Sequence, residues 1–248
     1  MQFKSAFLAV IICALVPLAG ATINPPAGSA RLHARPMKPT EHAATGLHSL
    51  GFAGGHDGIL SVPANYTGEK PIPLILMLHY AGGHAGLEVF CDHAAKEGIA
   101  VVMPESRGRT WDLLLNNSFG PDIQFIDRAL QYTFAHVAID PRHIAVAGLS
   151  DGASYALSVG LANGDLFTHI IAYSPGEIEP SKLIGWPLIY ITHGTSDRIL
   201  PITVSRQFAP VLRKAGYKVI FREFDGGHYM KRALVMESLR WLLEPRAN

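Results

Sequence analysis

The stretch that decides the fold is Ile144-Ala145-Val146-Ala147-Gly148-Leu149-Ser150-Asp151-Gly152-Ala153. Its first five residues form a short apolar run of the kind a strand shows when both faces are covered. From Ala153 to Asn163 the apolar residues recur at intervals of three and four, which predicts a helix with a buried face. The join between the two is so short that side chains two residues before and two residues after Ser150 would collide. Glycine at 148 and 152 removes both.

Outward from this unit, the same alternation repeats. Leu74 to Leu78, Ile99 to Pro104, His169 to Tyr173, Leu188 to Thr192 and Val219 to Phe224 are further short runs rich in Ile, Val and Leu. Helical spacing marks Phe90 to Glu97, Ile123 to Val137, Val204 to Ala215 and Met230 to Leu243. Strand followed by helix, repeated, predicts an α/β domain: a mostly parallel central sheet with right-handed crossovers and helices on both faces. An earlier pair of strands is expected between Gly46 and Tyr66, with His56-Asp57-Gly58 as its turn. No insertion before Asp197 is long enough to build a large lid domain. In such sheets the binding crevice lies at the carboxyl ends of the strands.

The 248 residues, 48% of them hydrophobic, suit one large core, so a single catalytic domain is expected over 46–248. With 21 Lys and Arg against 20 Asp and Glu, charge gives no reason to expect a nucleic-acid partner. Lys4, the apolar run Ala6 to Val16 and the small residues Ala19-Gly20-Ala21 fit a cleavable secretory signal over 1–21. That run is shorter than the ~20 residues a spanning helix needs, so export without a stable membrane span is the expectation, to the periplasm or the exterior. Residues 22–45, rich in Pro, Ala and Gly without an apolar period, read as a loosely packed tail or linker. Of two cysteines, Cys13 falls in the signal, so Cys91 would remain without an internal disulfide partner.

The turn at Ser150 places a hydroxyl at the start of a helix, where the dipole favours a developing negative oxygen. A plain Gly-rich turn with Ser150 as helix cap is the alternative. A serine nucleophile needs a base and an orienting acid, each placed after a later strand in the order Ser, acid, His. Asp197 follows the run Leu188 to Thr192, and His228 follows the run Val219 to Phe224 behind Gly226-Gly227. Asp225 is the competing acid, though three residues before the histidine it suits turn capping better. His79 and His193 read as hydrogen-bonded histidines at strand ends. The oxyanion donors are expected to be the N–H groups of Asp151 and of Ala81, the latter in His79-Tyr80-Ala81-Gly82-Gly83. The Asp151 carboxylate is expected to point toward solvent.

Taken together, His79 to Gly83, Gly148 to Gly152, His193 to Asp197 with Pro201, and Asp225 to His228 resemble the α/β-hydrolase superfamily. Asp57-Gly58-Ile59-Leu60-Ser61-Val62-Pro63 and Phe119 to Ile126 are similar to its small exported esterases: polyhydroxybutyrate depolymerases, feruloyl esterases and phospholipase/carboxylesterases. The resemblance runs from about Asp57 to Leu243. It implies a Ser-Asp-His esterase of small-molecule or oligomeric esters, with no metal and no organic cofactor. One departure is Tyr80, where many members carry Gly; its ring is expected to line the acyl pocket or its hydroxyl to act as a third donor.

Trp111 with Leu113 to Leu115, and Trp186, Leu200, Tyr229 and Met230, are candidates to line an apolar acyl or aryl pocket, with core packing as the alternative for each. Two other classes of function remain open: a peptidase or amidase with the same triad, and a non-catalytic binding protein of hydrolase shape. A metal enzyme is not expected, since no His-Glu-x-x-His or Cys/His pairing at ligand spacing occurs.

Overall fold

A computed structural model of the chain describes residues 27–52, 57–83 and 87–245. The expected leader 1–21 and His56 of the expected turn lie outside the described residues.

The chain opens with β1 (Gly46–Ser49) and β2 (Gly58–Val62), then β3 (Ile72–Leu78), α1 (Glu88–Lys96) and β4 (Ala100–Pro104). Next come α2 (Asp112–Asn116), α3 (Pro121–His136), β5 (Ile139–Leu149), α4 (Asp151–Ala162) and β6 (His169–Tyr173). It closes with β7 (Leu188–Gly194), α5 (Thr203–Lys214), β8 (Val219–Phe224) and α6 (Arg232–Leu243). The eight strands form one sheet in the order β1-β2-β4-β3-β5-β6-β7-β8. β1 and β2 enter antiparallel, and every pairing from β4 to β8 is parallel.

Strand side chains alternate between two cores, as the pleat requires. Leu74, Leu76 and Leu78 pack toward α3, α4 and α5, while Ile75 and Met77 pack toward α1 and α6. This is why these runs are apolar without a gap: neither face meets water. α4 is buried along almost its whole length. Its Gly160 lets it sit against Ile170 and Val146, whose side-chain carbons would lie 2.6–2.9 Å from any Cβ there.

Three features differ from expectation by more than two residues. β5 begins at Ile139, where it pairs with Ile72, rather than at Ile144. α2, a helix of five residues, stands inside what reads as a loop. Residues 27–45 do not form a loosely packed tail. Ala30, Leu32 and Ala34 are buried in the main core, Asn163 bonds the backbone of Ala30 and Leu32, and Asp127 accepts from the N–H of His33 and Ala34. Arg31 and Arg35 both pair with Asp165. An extended strap has no helical period and too few residues to look like a strand, so composition alone reads as linker.

Among the described residues no helix is long and apolar enough to cross a membrane.

Candidate active site

Ser150 joins β5 to α4 with φ 58° and ψ −122°. A non-glycine residue in that region costs on the order of 1–3 kcal/mol and persists only where its surroundings impose it. Here the imposition is visible. The Ser150 N–H bonds the Tyr173 carbonyl at 2.9 Å, and the Ser150 carbonyl accepts from the N–H groups of Ala153 and Ser154. A Cβ on Gly148 would lie 2.2 Å from the Gly152 oxygen, and a Cβ on Gly152 would lie 2.3 Å from the Leu78 oxygen. Both glycines are therefore steric requirements of the turn. Ser150 is nearly buried, 7% exposed.

Asp197 and His228 meet at the same rim of the sheet. His228 Nδ1 lies 2.6 Å from Asp197 Oδ2, and Asp197 Oδ1 accepts from the N–H groups of Ile199 and Leu200, each at 2.9 Å. Asp225, the competing acid, is exposed and does not take the histidine. Burial alone would raise the Asp197 pKa. The His228 ring and the two backbone donors outweigh it and hold the carboxyl below its ordinary value. The bond to Asp197 fixes a proton on His228 Nδ1 and leaves Nε2 as the basic nitrogen. Ser150 follows β5 and His228 follows β8, strands three places apart in the sheet and so roughly 14 Å apart at ~4.8 Å per strand. Among the described residues no hydrogen bond joins the Ser150 hydroxyl to His228, a bond that in unliganded sites is often long.

The loops after β7 and β8 are stitched together. Thr195 and Ser196 donate their N–H groups to the carbonyls of Phe224 and Gly226, and a Cβ on Gly194 would lie 2.3 Å from the Gly227 oxygen. The two histidines read as strand-end residues are bonded as such. His193 Nε2 lies 2.8 Å from the Leu200 oxygen and 3.3 Å from Asp197 Oδ2, while its Nδ1 meets the Ser205 hydroxyl. His79 Nε2 accepts from the Ser106 N–H, and its Nδ1 lies 2.7 Å from the Tyr80 oxygen.

In the turn after β3, Gly82 donates to the Arg109 carbonyl and Gly83 to the Tyr80 carbonyl. No acceptor among the described residues takes the N–H of Ala81 or of Asp151. Beneath this turn lie two buried carboxylates. Asp112 accepts from the N–H groups of Gly120 and Asp122 and from the Tyr155 hydroxyl. Asp122 accepts from the N–H groups of Arg107 and Asp112.

A family model described as phospholipase/carboxylesterase matches residues 103–243, more than half of the chain. The chain belongs to the phospholipase/carboxylesterase family. A probable feruloyl esterase C of Aspergillus flavus is 27% identical over 66% of this chain and 63% of that protein. Feruloyl esterase C of Emericella nidulans is 27% identical over 60% of this chain and 57% of that protein. The chain thus spans less than two thirds of the length of these curated relatives. A fluorophosphonate-binding serine hydrolase of Staphylococcus aureus superposes with TM-score 0.65 at 15% identity, covering 82% of this chain and 100% of that one. The ferulic acid esterase of Anaeromyces mucronatus gives 0.57 at 15%, covering 82% and 91%. The fold is that of the α/β-hydrolases.

Within this family member, the residues expected to line an acyl pocket divide. Trp111 does not line one: it is fully buried, stacked between His79 and Tyr155, and its indole N–H donates to the His79 carbonyl at 2.9 Å. It supports the turn that carries Ala81. Trp186 precedes β7 and packs on Tyr217 and Gly216, at the amino ends of the strands and so at the opposite rim. Tyr80 is half-exposed and lies on its own turn, its ring 3.1 Å from where a Gly83 Cβ would stand. Tyr229 is likewise half-exposed and packs edge-on against Phe224. Nor is the Asp151 carboxylate free in solvent, because its Oδ2 accepts from the Thr110 hydroxyl at 2.8 Å. Thr110 and Ser205 escape sequence reasoning, since each acts on a residue distant along the chain and neither belongs to a motif.

Glu177 and Glu179, in the segment after β6, hang their backbone N–H groups on Ser154 and Ser158 of α4. Burial, then the charges of Glu179 and Asp151, push the Glu177 carboxyl above its ordinary value. Among the described residues no group of three or more His, Cys, Asp or Glu side chains could hold a metal ion.

Proposed function

We propose that the chain hydrolyses carboxylic esters through an acyl-enzyme on Ser150. The observation that carries this reading is the 2.6 Å contact of His228 Nδ1 with Asp197 Oδ2 at the same rim as the strained Ser150 turn. In this reading Ser150 Oγ attacks the ester carbonyl while His228 Nε2 takes its proton. Asp197 holds the imidazolium, and the N–H groups of Ala81 and Asp151 receive the oxyanion. As the C–O bond to the alcohol breaks, His228 returns the proton to the leaving oxygen. A water then repeats the sequence on the acyl carbon and frees the acid.

The feruloyl esterases among its relatives support an aryl or short acyl ester as substrate, with no metal or organic cofactor required by these steps. Export through a signal cleaved after Ala21 belongs to the same proposal, and amino-terminal sequencing of the exported chain tests it. The decisive experiment measures turnover of p-nitrophenyl esters of increasing chain length, a feruloyl ester and a hydroxybutyrate oligomer. The wild type and Ser150→Ala are compared, and a matching amide separates an esterase from an amidase. Loss of the serine should cost several orders of magnitude, on the order of 10⁶ in the best-studied serine enzyme. Substantial esterase activity in Ser150→Ala overturns the proposal.

A further inference from the structure

The two N–H groups of the oxyanion site belong to different parts of the fold, Ala81 to the turn after β3 and Asp151 to the first turn of α4. Their separation must be held to a fraction of an ångström for both to reach one oxygen. One segment, residues 106–111, touches both sides. On the β3 side it makes three hydrogen bonds: the Ser106 N–H to His79 Nε2 at 3.0 Å, the Trp111 indole to the His79 carbonyl, and the Arg109 carbonyl from the Gly82 N–H at 2.7 Å. On the α4 side it makes one side-chain bond, from the Thr110 hydroxyl to Asp151 Oδ2 at 2.8 Å.

We propose that Thr110 is a positioning residue for ester hydrolysis, clasping the Asp151 carboxylate so that the Ala81 and Asp151 N–H groups keep a fixed separation. This rests on the triad reading above. Thr110 is buried, so the bond is sheltered from competing water. The segment is also anchored from below: Asp122 takes the Arg107 N–H and the Asp112 N–H, and Asp112 takes the Tyr155 hydroxyl from α4 itself. The clasp accounts for an acid next to the nucleophile. A carboxylate free to turn toward a developing oxyanion opposes it, and the bond from the Thr110 hydroxyl holds this one in a single place.

The test compares Thr110→Val, which keeps the shape and removes the donor, Thr110→Ser, which keeps the donor, and Asp151→Ala, which breaks the same bond from the other side. Kinetics on a p-nitrophenyl ester and the rate of inactivation by a fluorophosphonate are read for each. Removing an oxyanion donor outright costs ~10²–10³ in kcat. Losing its clasp should lower kcat about 10- to 100-fold with KM within about twofold, and slow inactivation in step. Thr110→Ser should recover to within about threefold of wild type, and the Thr110→Val/Asp151→Ala double variant should be no slower than the worse single variant. Wild-type kcat in Thr110→Val beside an inactive Ser150→Ala overturns the clasp and leaves the triad standing. An active Ser150→Ala removes the triad reading itself. If Thr110→Val does not fold, Asp151→Ala carries the test, and normal kcat there overturns the clasp.

Discussion

Replacing His193 by Phe tests whether the acid of the site is held by its surroundings or merely reaches its place. The ring is fully buried and uses both nitrogens. Nε2 faces two acceptors, the Leu200 carbonyl at 2.8 Å and Asp197 Oδ2 at 3.3 Å, so it must carry the proton. Nδ1 is then the acceptor for the Ser205 hydroxyl at 2.8 Å. Phenylalanine fills a similar space but leaves the Leu200 oxygen and the Ser205 hydroxyl buried without their partner. At ~1–3 kcal/mol for each orphaned group, the expected loss is about 2–6 kcal/mol, a large part of a typical folding free energy of ~5–15 kcal/mol. Urea unfolding measures it. The loss also depends on pH. Burial, the largest influence, keeps the His193 imidazole below its ordinary pKa. Below about pH 6.5 the unfolded chain therefore takes up a proton that the folded ring refuses. Wild-type stability declines there and the variant lacks that decline, so the gap between them narrows toward acid pH. Asp197 also loses the contact from His193 Nε2 at 3.3 Å, so kcat/KM should fall along with stability. Equal stability within about 0.5 kcal/mol at pH 7, together with a gap that does not change toward acid pH, would refute the reasoning.

Gly152→Ala puts a Cβ 2.3 Å from the Leu78 oxygen and 2.5 Å from the His79 oxygen, both backbone atoms that cannot swing aside. Overpacking of this kind costs ~1–3 kcal/mol or more, and activity should fall more than stability because the turn carrying Ala81 must move; a fully active variant would contradict the close approach. Asp122 should titrate near pH 6 by carboxyl NMR, pushed up first by burial and then by the charge of Asp112. The folded state then holds this proton more tightly than the unfolded one, so its contribution to stability is present below about pH 4 and is lost as pH rises through 6. A midpoint below 4.5 would mean that water reaches the group. Asn163→Ala removes side-chain bonds to Ala30 and Leu32 and should cost at least ~2 kcal/mol while exposing residues 27–45 to protease. A loss under 0.5 kcal/mol would show that the strap adds little.

What the sequence reveals follows from which interactions are local. β6 coincides with its apolar run, because a strand covered on both faces leaves a composition visible without any partner, and β8, half-exposed at the sheet edge, still shows in Val219-Ile220-Phe221. The Ser150 turn is legible because its demands fall within five residues: a strand end, two positions where no Cβ fits, and a helix start. The places of Asp197 and His228 follow from the same logic, since both come directly after strands whose carboxyl ends face one rim.

The misreadings share an opposite cause. Trp111 reads as a pocket residue because it precedes three leucines in an apparent loop, yet its indole bonds a carbonyl 32 residues earlier, a pairing no local pattern records. Trp186 shows a limit of counting strand ends: it stands before a parallel strand, and residues before such a strand lie at the rim away from the crevice. The strap held one usable signal. Ala30, Leu32 and Ala34 alternate with polar Arg31, His33 and Arg35, the period of an extended segment with one buried side. That alternation is weak beside the prolines around it, and only Asn163 and Asp127, distant along the chain, make it a structure. The same asymmetry explains why the places proposed for the triad can be read from the sequence and the one proposed for Thr110 cannot. Residues that meet substrate must stand at strand ends, whereas a residue that steadies them can come from any segment that passes nearby.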